Sequence, residues 1–112
     1  MITSGSRERV RREMKAHGIE QFFGTVVCEE DIRHKKPHPQ GLRLAMRQIR
    51  KQAGKCCYVG DRPEDMEMGK RAGVTTVAVP GGFPNSFSVL NCAPDVILPS
   101  ISGLLDYLKV NR

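Results

Sequence analysis

Residues 55–79 constrain the fold more than any other stretch of the chain. "KCCYVGD" sets a short apolar run ahead of Gly60 and Asp61, and Pro63 follows at a position suited to a first helical turn. Gly73 falls where a helix begun there would close, and a second β-branched run, "VTTVAV", comes directly after it. Strand, helix and strand in such close succession read as a βαβ unit, with parallel strands and helices over both faces.

The rest of the chain extends the alternation. "MIT" reads as a strand stub, and Ser4 or Ser6 caps a helix with the stripe Val10, Met14 and His17, ended by Gly18. "TVVC", residues 25–28, suits a buried strand. Leu42, Ala45, Met46 and Ile49 fall at i, i+3, i+4 and i+7, the pattern of a helix packed on one face. "GGFPNSFSVLNCAP" reads as a loop, "DVIL" as a last short strand, and Ile101, Leu104, Leu105 and Leu108 as the inner face of a terminal helix. The expected fold is α/β, a Rossmann-like three-layer α/β/α sandwich with a mostly parallel sheet.

With 112 residues, the expectation is one domain spanning residues 1–112. No apolar run approaches the roughly 18 residues of a membrane span. The first residues lack the pattern of a secretory signal, so a cytoplasmic location is expected. Cys28, Cys56, Cys57 and Cys92 show no metal-ligand spacing and read as reduced, mostly buried thiols. The net charge of +6 fits an anionic ligand, and nucleic acid as well. Much of that charge lies in "RERVRREMK", where Glu8 and Glu13 interleave with the basic residues. A solvated helix face accounts for that run, and the absence of interleaved aromatics argues against nucleic acid.

Ligands of open α/β sheets bind beyond the carboxyl ends of the strands. Three polar groups fall at or near such ends: Thr3, followed by the backbone amides of Ser4, Gly5 and Ser6; Lys36; and Asp61. A hydroxyl, amides at a helix start and an ammonium suit phosphate oxygens. A carboxylate beside them would repel phosphate unless a cation lay between, and Mg²⁺ takes few carboxylates together with phosphate and water. Each residue also has a plainer reading. Thr3 and Ser4 can cap a helix, Lys36 can be a solvated loop lysine, Asp61 can cap the helix begun at Pro63, and Asp65 can favour its dipole. His34 and His38 read as surface residues of a polar loop, His17 as packing at a helix end, and "GGFP" as a turn.

Taken in order, these motifs resemble the haloacid-dehalogenase-like (HAD) superfamily of hydrolases, in particular its phosphoglycolate phosphatase-like branch. The resemblance runs along essentially the whole chain but covers only the second half of that family's catalytic core. "ITSGS" is similar to the motif whose hydroxyl binds the transferring phosphoryl group, which implies a catalytic and phosphate-binding Thr3 with Ser4 and Gly5 beside it. "KKPHP" is similar to the motif whose lysine neutralises phosphate and nucleophile, here Lys36. "YVGDRPEDMEMGKRAG" resembles the metal motif, which implies that Asp61 binds Mg²⁺ and Asp65 supports it.

The family's nucleophile motif, DxDx[TV], does not occur, and Asp31 in "CEEDIRH" is no credible replacement for it. The cap that selects substrate is missing too. The resemblance therefore implies a truncated core without its central first strand, binding Mg²⁺ weakly and a phosphate or phosphoester, and inactive alone. The unpaired strand edges imply a homo-oligomer or a partner supplying the N-terminal half. The competing readings are a non-catalytic interaction module and a basic nucleic-acid-binding protein.

Overall fold

The βαβ unit forms where the residues place it and organises everything around it. The computed structural model describes residues 1–81 and 85–110, the side chain of Asn85 excepted. In chain order the helices are α1 (Arg7–Ala16), α2 (Gln40–Ile49), α3 (Pro63–Ala72), α4 (Asn85–Leu90) and α5 (Leu104–Val110). The strands are β1 (Cys57–Gly60), β2 (Thr75–Ala78) and β3 (Val96–Ile97). Pro63 opens α3 at its first position, and Gly73 ends it in the left-handed region at φ 78°, where a side chain would be strained.

Among the described residues the strands form one sheet in the order β1-β2-β3, with both pairings parallel. Cys57 pairs with Thr75 at one end of the first ladder and Gly60 with Ala78 at the other. Thr76 and Asp95 staple β2 to the start of β3. The Thr76 amide and hydroxyl donate to Asp95 Oδ2 at 2.8 and 3.0 Å, and the Asp95 amide donates to Thr76 Oγ1 at 3.0 Å.

Strand alternation sorts the helices into layers. Tyr58 and Thr76 face α3, since a Cβ on Gly69 of that helix would stand 2.6 Å from Thr76 Cγ2 and 3.7 Å from Tyr58 Cβ. On this side Leu42, Met46, Met68 and Val74 form a core cluster, with Ile2 and Tyr58 against it. Met66, Ala78 and Val89 continue the layer under α4. Ile2 and Val27 also turn towards α2, at Gly41. Their neighbours Met1, Val26 and Cys28 turn the other way and pack with Val10 and Met14 of α1. The three-layer α/β/α arrangement is thus present.

Several expectations are corrected. Residues 25–28 do not form a strand of their own; Ile2 and Val27 make a single isolated parallel bridge, supported by Thr3 N to Val27 O and Val27 N to Met1 O, each 2.9 Å. No described strand lies beside either segment to lengthen the ladder. The segment read as a loop contains α4, with Val89 fully buried, while its residues 82–84 lie outside the described residues. Six residues with one buried position leave too little periodicity to announce a helix. Ser6, rather than Ser4, caps α1 by accepting from Arg9 N, and His17 is the exposed residue at its far end. The stripe expected to be buried at the C-terminus is not covered. Ile101 sits in a 3₁₀ turn, and α5 has no buried residue, with Leu105 61% and Leu108 42% exposed. Ile49 on α2 is 44% exposed.

All four cysteines are free thiols; Cys28 alone is buried, and the other three are half-buried. No helix among the described residues is long and apolar enough to cross a membrane.

Candidate functional site

The carboxyl end of β1 carries the site. Gly60 is the last residue of the strand, Asp61 follows it, and α3 starts two residues later, so Asp61 and Asp65 both lie where strand passes into helix. A Cβ on Gly60 would overlap the Asp65 side chain, so the backbone must be bare there for Asp65 to fold back over the strand end. The Asp65 carboxylate is buried and fully engaged. Oδ2 accepts from the Arg62 amide at 3.3 Å, capping α3, while Oδ1 lies 2.8 Å from Lys36 Nζ and 3.4 Å from the Tyr58 hydroxyl.

Lys36 reaches this carboxylate from the loop ahead of α2. Its side chain is 18% exposed, and its ammonium stands 5.8 Å from the centre of the Tyr58 ring. Burial pulls the Lys36 ammonium down, but the hydrogen bond to Asp65, the interaction with Tyr58 and the charge of Asp65 together outweigh it, so its pKa lies above the usual lysine value. Burial pushes the Tyr58 phenol up. The group is therefore a buried cation–carboxylate pair with a neutral hydroxyl beside it.

The loop is organised by Gln40, whose side-chain oxygen accepts from the Arg33 and His34 amides at 2.8 Å each. His38 stacks on His34 at 4.6 Å between ring centres and accepts from the Gln40 amide. The Lys36–Pro37 peptide is cis. Neither Tyr58 nor Gln40 was singled out from the sequence. Tyr58 had a signal, since it shares a strand face with Gly60 and so points to the side where α3 and Asp65 lie. Gln40 had none, because its role needs the folded loop.

Asp61 is exposed, and its carboxylate makes no hydrogen bond or ion pair with any described residue. Thr3, Ser4 and Gly5 form a separate turn in which the Gly5 amide donates to Thr3 Oγ1 at 3.0 Å. No hydrogen bond or ion pair joins that turn to Lys36, Asp61 or Asp65. Asp31 is committed elsewhere: it pairs with Arg7 and accepts from the Cys28 amide at 2.8 Å. No group of three or more His, Cys, Asp or Glu among the described residues is arranged to hold a metal. The donor set suits a hard oxygen-seeking cation only in part, with one free carboxylate at Asp61 and Asp65 already taken by Lys36.

The sequence profile of haloacid dehalogenase-like hydrolases matches residues 1–79, which include the Thr3 turn, the Lys36 loop and the Asp61–Asp65 strand end. This chain belongs to the haloacid dehalogenase-like hydrolase family. The pyrophosphatase PpaX of Bacillus velezensis is 33% identical over 105 residues, covering 94% of this chain and 49% of that relative. PpaX of Halalkalibacterium halodurans is 32% identical over 110 residues, 98% of this chain and 51% of its own length. The chain spans about half the length of the curated relatives it matches. Among solved structures, a haloacid dehalogenase-like hydrolase from Bacteroides fragilis superposes with a TM-score of 0.83 at 26% identity, over 92% of this chain and 49% of that one. A HAD-superfamily hydrolase from Geobacter sulfurreducens shares the fold with a TM-score of 0.79 over 96% of this chain and 46% of that one.

Proposed function

We propose that this chain is the phosphate- and Mg²⁺-binding half of a HAD-type phosphohydrolase core, and that it does not hydrolyse phosphoesters by itself. The observation that carries the reading is the convergence at the end of β1, where Lys36 is held as an ammonium against Asp65 while Asp61 beside them stays free. Family membership and the names of the relatives support a phosphate-type substrate, a phosphate or phosphoester small molecule. In this reading Lys36 neutralises phosphate oxygens and Asp65 fixes the lysine, while the Thr3 hydroxyl and the Ser4 amide of the separate turn, whose Gly5 amide is spent on Thr3 Oγ1, would bind phosphate only if that turn is brought up to Lys36. Asp61 would hold Mg²⁺, which when bound offsets the charge between carboxylate and phosphate. With a single free carboxylate, binding is weak.

The resemblance implies a carboxylate nucleophile for hydrolysis, and in this reading no described carboxylate is left for that role once Asp61 is given to Mg²⁺. Asp31 is occupied by Arg7, and Asp65 by Lys36.

The test uses inorganic phosphate with Mg²⁺. We expect shifts in the amide spectrum of residues 36, 61 and 65, lost in Lys36→Met, together with negligible turnover of an aryl phosphate. Turnover abolished by Asp61→Asn would show that a nucleophile is present after all. A spectrum unmoved by Mg²⁺ and phosphate would favour the non-catalytic interaction module.

A further inference from the structure

We infer that the groove at the carboxyl end of α2 is a docking surface for a short, extended acidic segment of another protein, one that sets carboxylates two residues apart. The inference does not rest on the proposed function, because the groove lies ahead of the amino end of β1 and the candidate site at its carboxyl end.

The charge shows the surface first. A groove of about 350 Å³ has Arg43, Arg47, Arg50 and Lys51 on its walls, with Met46 and Ala53 between them and no acidic residue in its lining. All four cations are exposed. None of them joins an ion pair among the described residues, whereas Arg7, Arg9, Lys36, Arg62 and Arg71 each have a carboxylate partner. Arg43 spends one donor on the Arg71 carbonyl at 3.4 Å and makes no other hydrogen bond among the described residues. The helix dipole favours cations at the last turn, which suits Arg47 and Arg50. Arg43 stands in the first half of α2, where the dipole gives it no such support.

The backbone shows it again. Arg50 caps α2 in the left-handed region, at φ 56° and ψ 45°, where a side chain is strained and glycine is the usual residue. An arginine kept there turns the helix end into part of the charged wall, a use that the fold itself does not require.

The shape selects the ligand. Arg43 and Arg47 are four residues apart, a rise of about 6 Å along the helix. Alternate side chains of an extended chain stand about 6.6 Å apart on one face, so successive carboxylates can meet successive guanidiniums. Met46 and Ala53 between the cations offer apolar contact to the stems of those side chains. A single phosphate ion is too small to meet cations spread over about two helical turns. Nucleic acid finds no aromatic side chain on these walls to stack on, and a duplex is convex where the groove is concave. A second copy carries the same net charge of +6, and its acidic pair Glu30 and Asp31 is spent on Arg7.

The test titrates the full chain, at low salt, into a fluorescent peptide of about six residues alternating glutamate and alanine, and reads anisotropy. Saturable one-to-one binding is expected, weakening as salt is raised. Arg43→Glu with Arg47→Glu should weaken it about tenfold. The same double reversal at Arg11 and Arg12, exposed cations of α1 without ion pairs among the described residues, changes the net charge equally and should leave affinity within about twofold. Arg50→Gly relieves the left-handed backbone, so it should hold or raise the melting temperature while weakening the peptide about threefold. No saturable binding, an equal loss from the α1 reversal, or tighter binding of a DNA duplex than of the peptide overturns the inference. So does Arg50→Gly if it lowers the melting temperature and leaves binding intact, or self-association of the chain that the peptide displaces, since the groove would then belong to a second copy.

Discussion

β1 and β2 are neighbours of equal length and similar apolarity, yet they differ in burial at almost every position. β2 has a strand on each side and a helical layer above it; Val77 is 0% exposed. Among the described residues β1 has a strand on one side only, and none of its residues is buried. What separates them is the number of neighbours, not residue type. The difference also divides the labour of the molecule. The strand whose last three residues are buried carries the core, and the half-buried strand carries the candidate site at its carboxyl end.

The largest test of this contrast is a charge placed in each strand. Val77→Asp buries an unpaired carboxylate and should cost about 4 kcal/mol or more, enough to unfold a small domain. Val59→Asp, at a half-exposed position, should cost about 1 kcal/mol. Urea unfolding of the two variants checks the order, and equal losses would show that β1 is covered in solution.

A smaller effect tests what holds the far side of β2. Asp95→Ala removes the staple to Thr76 and should cost about 2 kcal/mol, read from the same unfolding curves. Hydrogen bonds from the Thr76 amide, then from its hydroxyl, hold the Asp95 carboxyl below its ordinary value. A group depressed in the folded state contributes stability that is fully present above the unfolded value, about 3.9, and is lost as pH falls through the lower folded value. Wild-type protein should therefore lose stability below pH of about 4 more steeply than Asp95→Asn.

The finest comparison leaves the sequence untouched. In β1 the amides of Tyr58 and Gly60 should resist hydrogen exchange, while those of Cys57 and Val59 exchange as exposed groups.

Much of this was legible in local chemistry. Pro63 and Gly73 mark the ends of α3 because one fits a first turn and the other a left-handed residue, and neither property depends on the rest of the fold. The spacing of Leu42, Ala45 and Met46 marked the buried side of α2 for the same reason. Of the candidate site residues, Asp61 and Asp65 stand where the order of motifs places them, at the passage from β1 into α3, while Lys36 lies in the loop ahead of α2 and Thr3 in a separate turn. The inner contacts of the site were not legible. That Asp65 spends its carboxylate on Lys36, and that Tyr58 stands beside them, depends on two segments far apart in the chain meeting over Gly60.

Burial was the least legible. Leu105, Leu108 and Ile49 carry the periodicity of covered faces and are left open, and "TVVC" has the composition of a strand but only a bridge to show for it. Composition and spacing alone marked α1, α2, α3 and α5 as helical, though not α4, and placed Pro63 and Gly73 at the ends of α3, because capping, backbone freedom and periodicity act within a few residues. Only the tertiary structure decided which apolar faces are covered and which carboxylate remains free, because burial and charge pairing require a second surface.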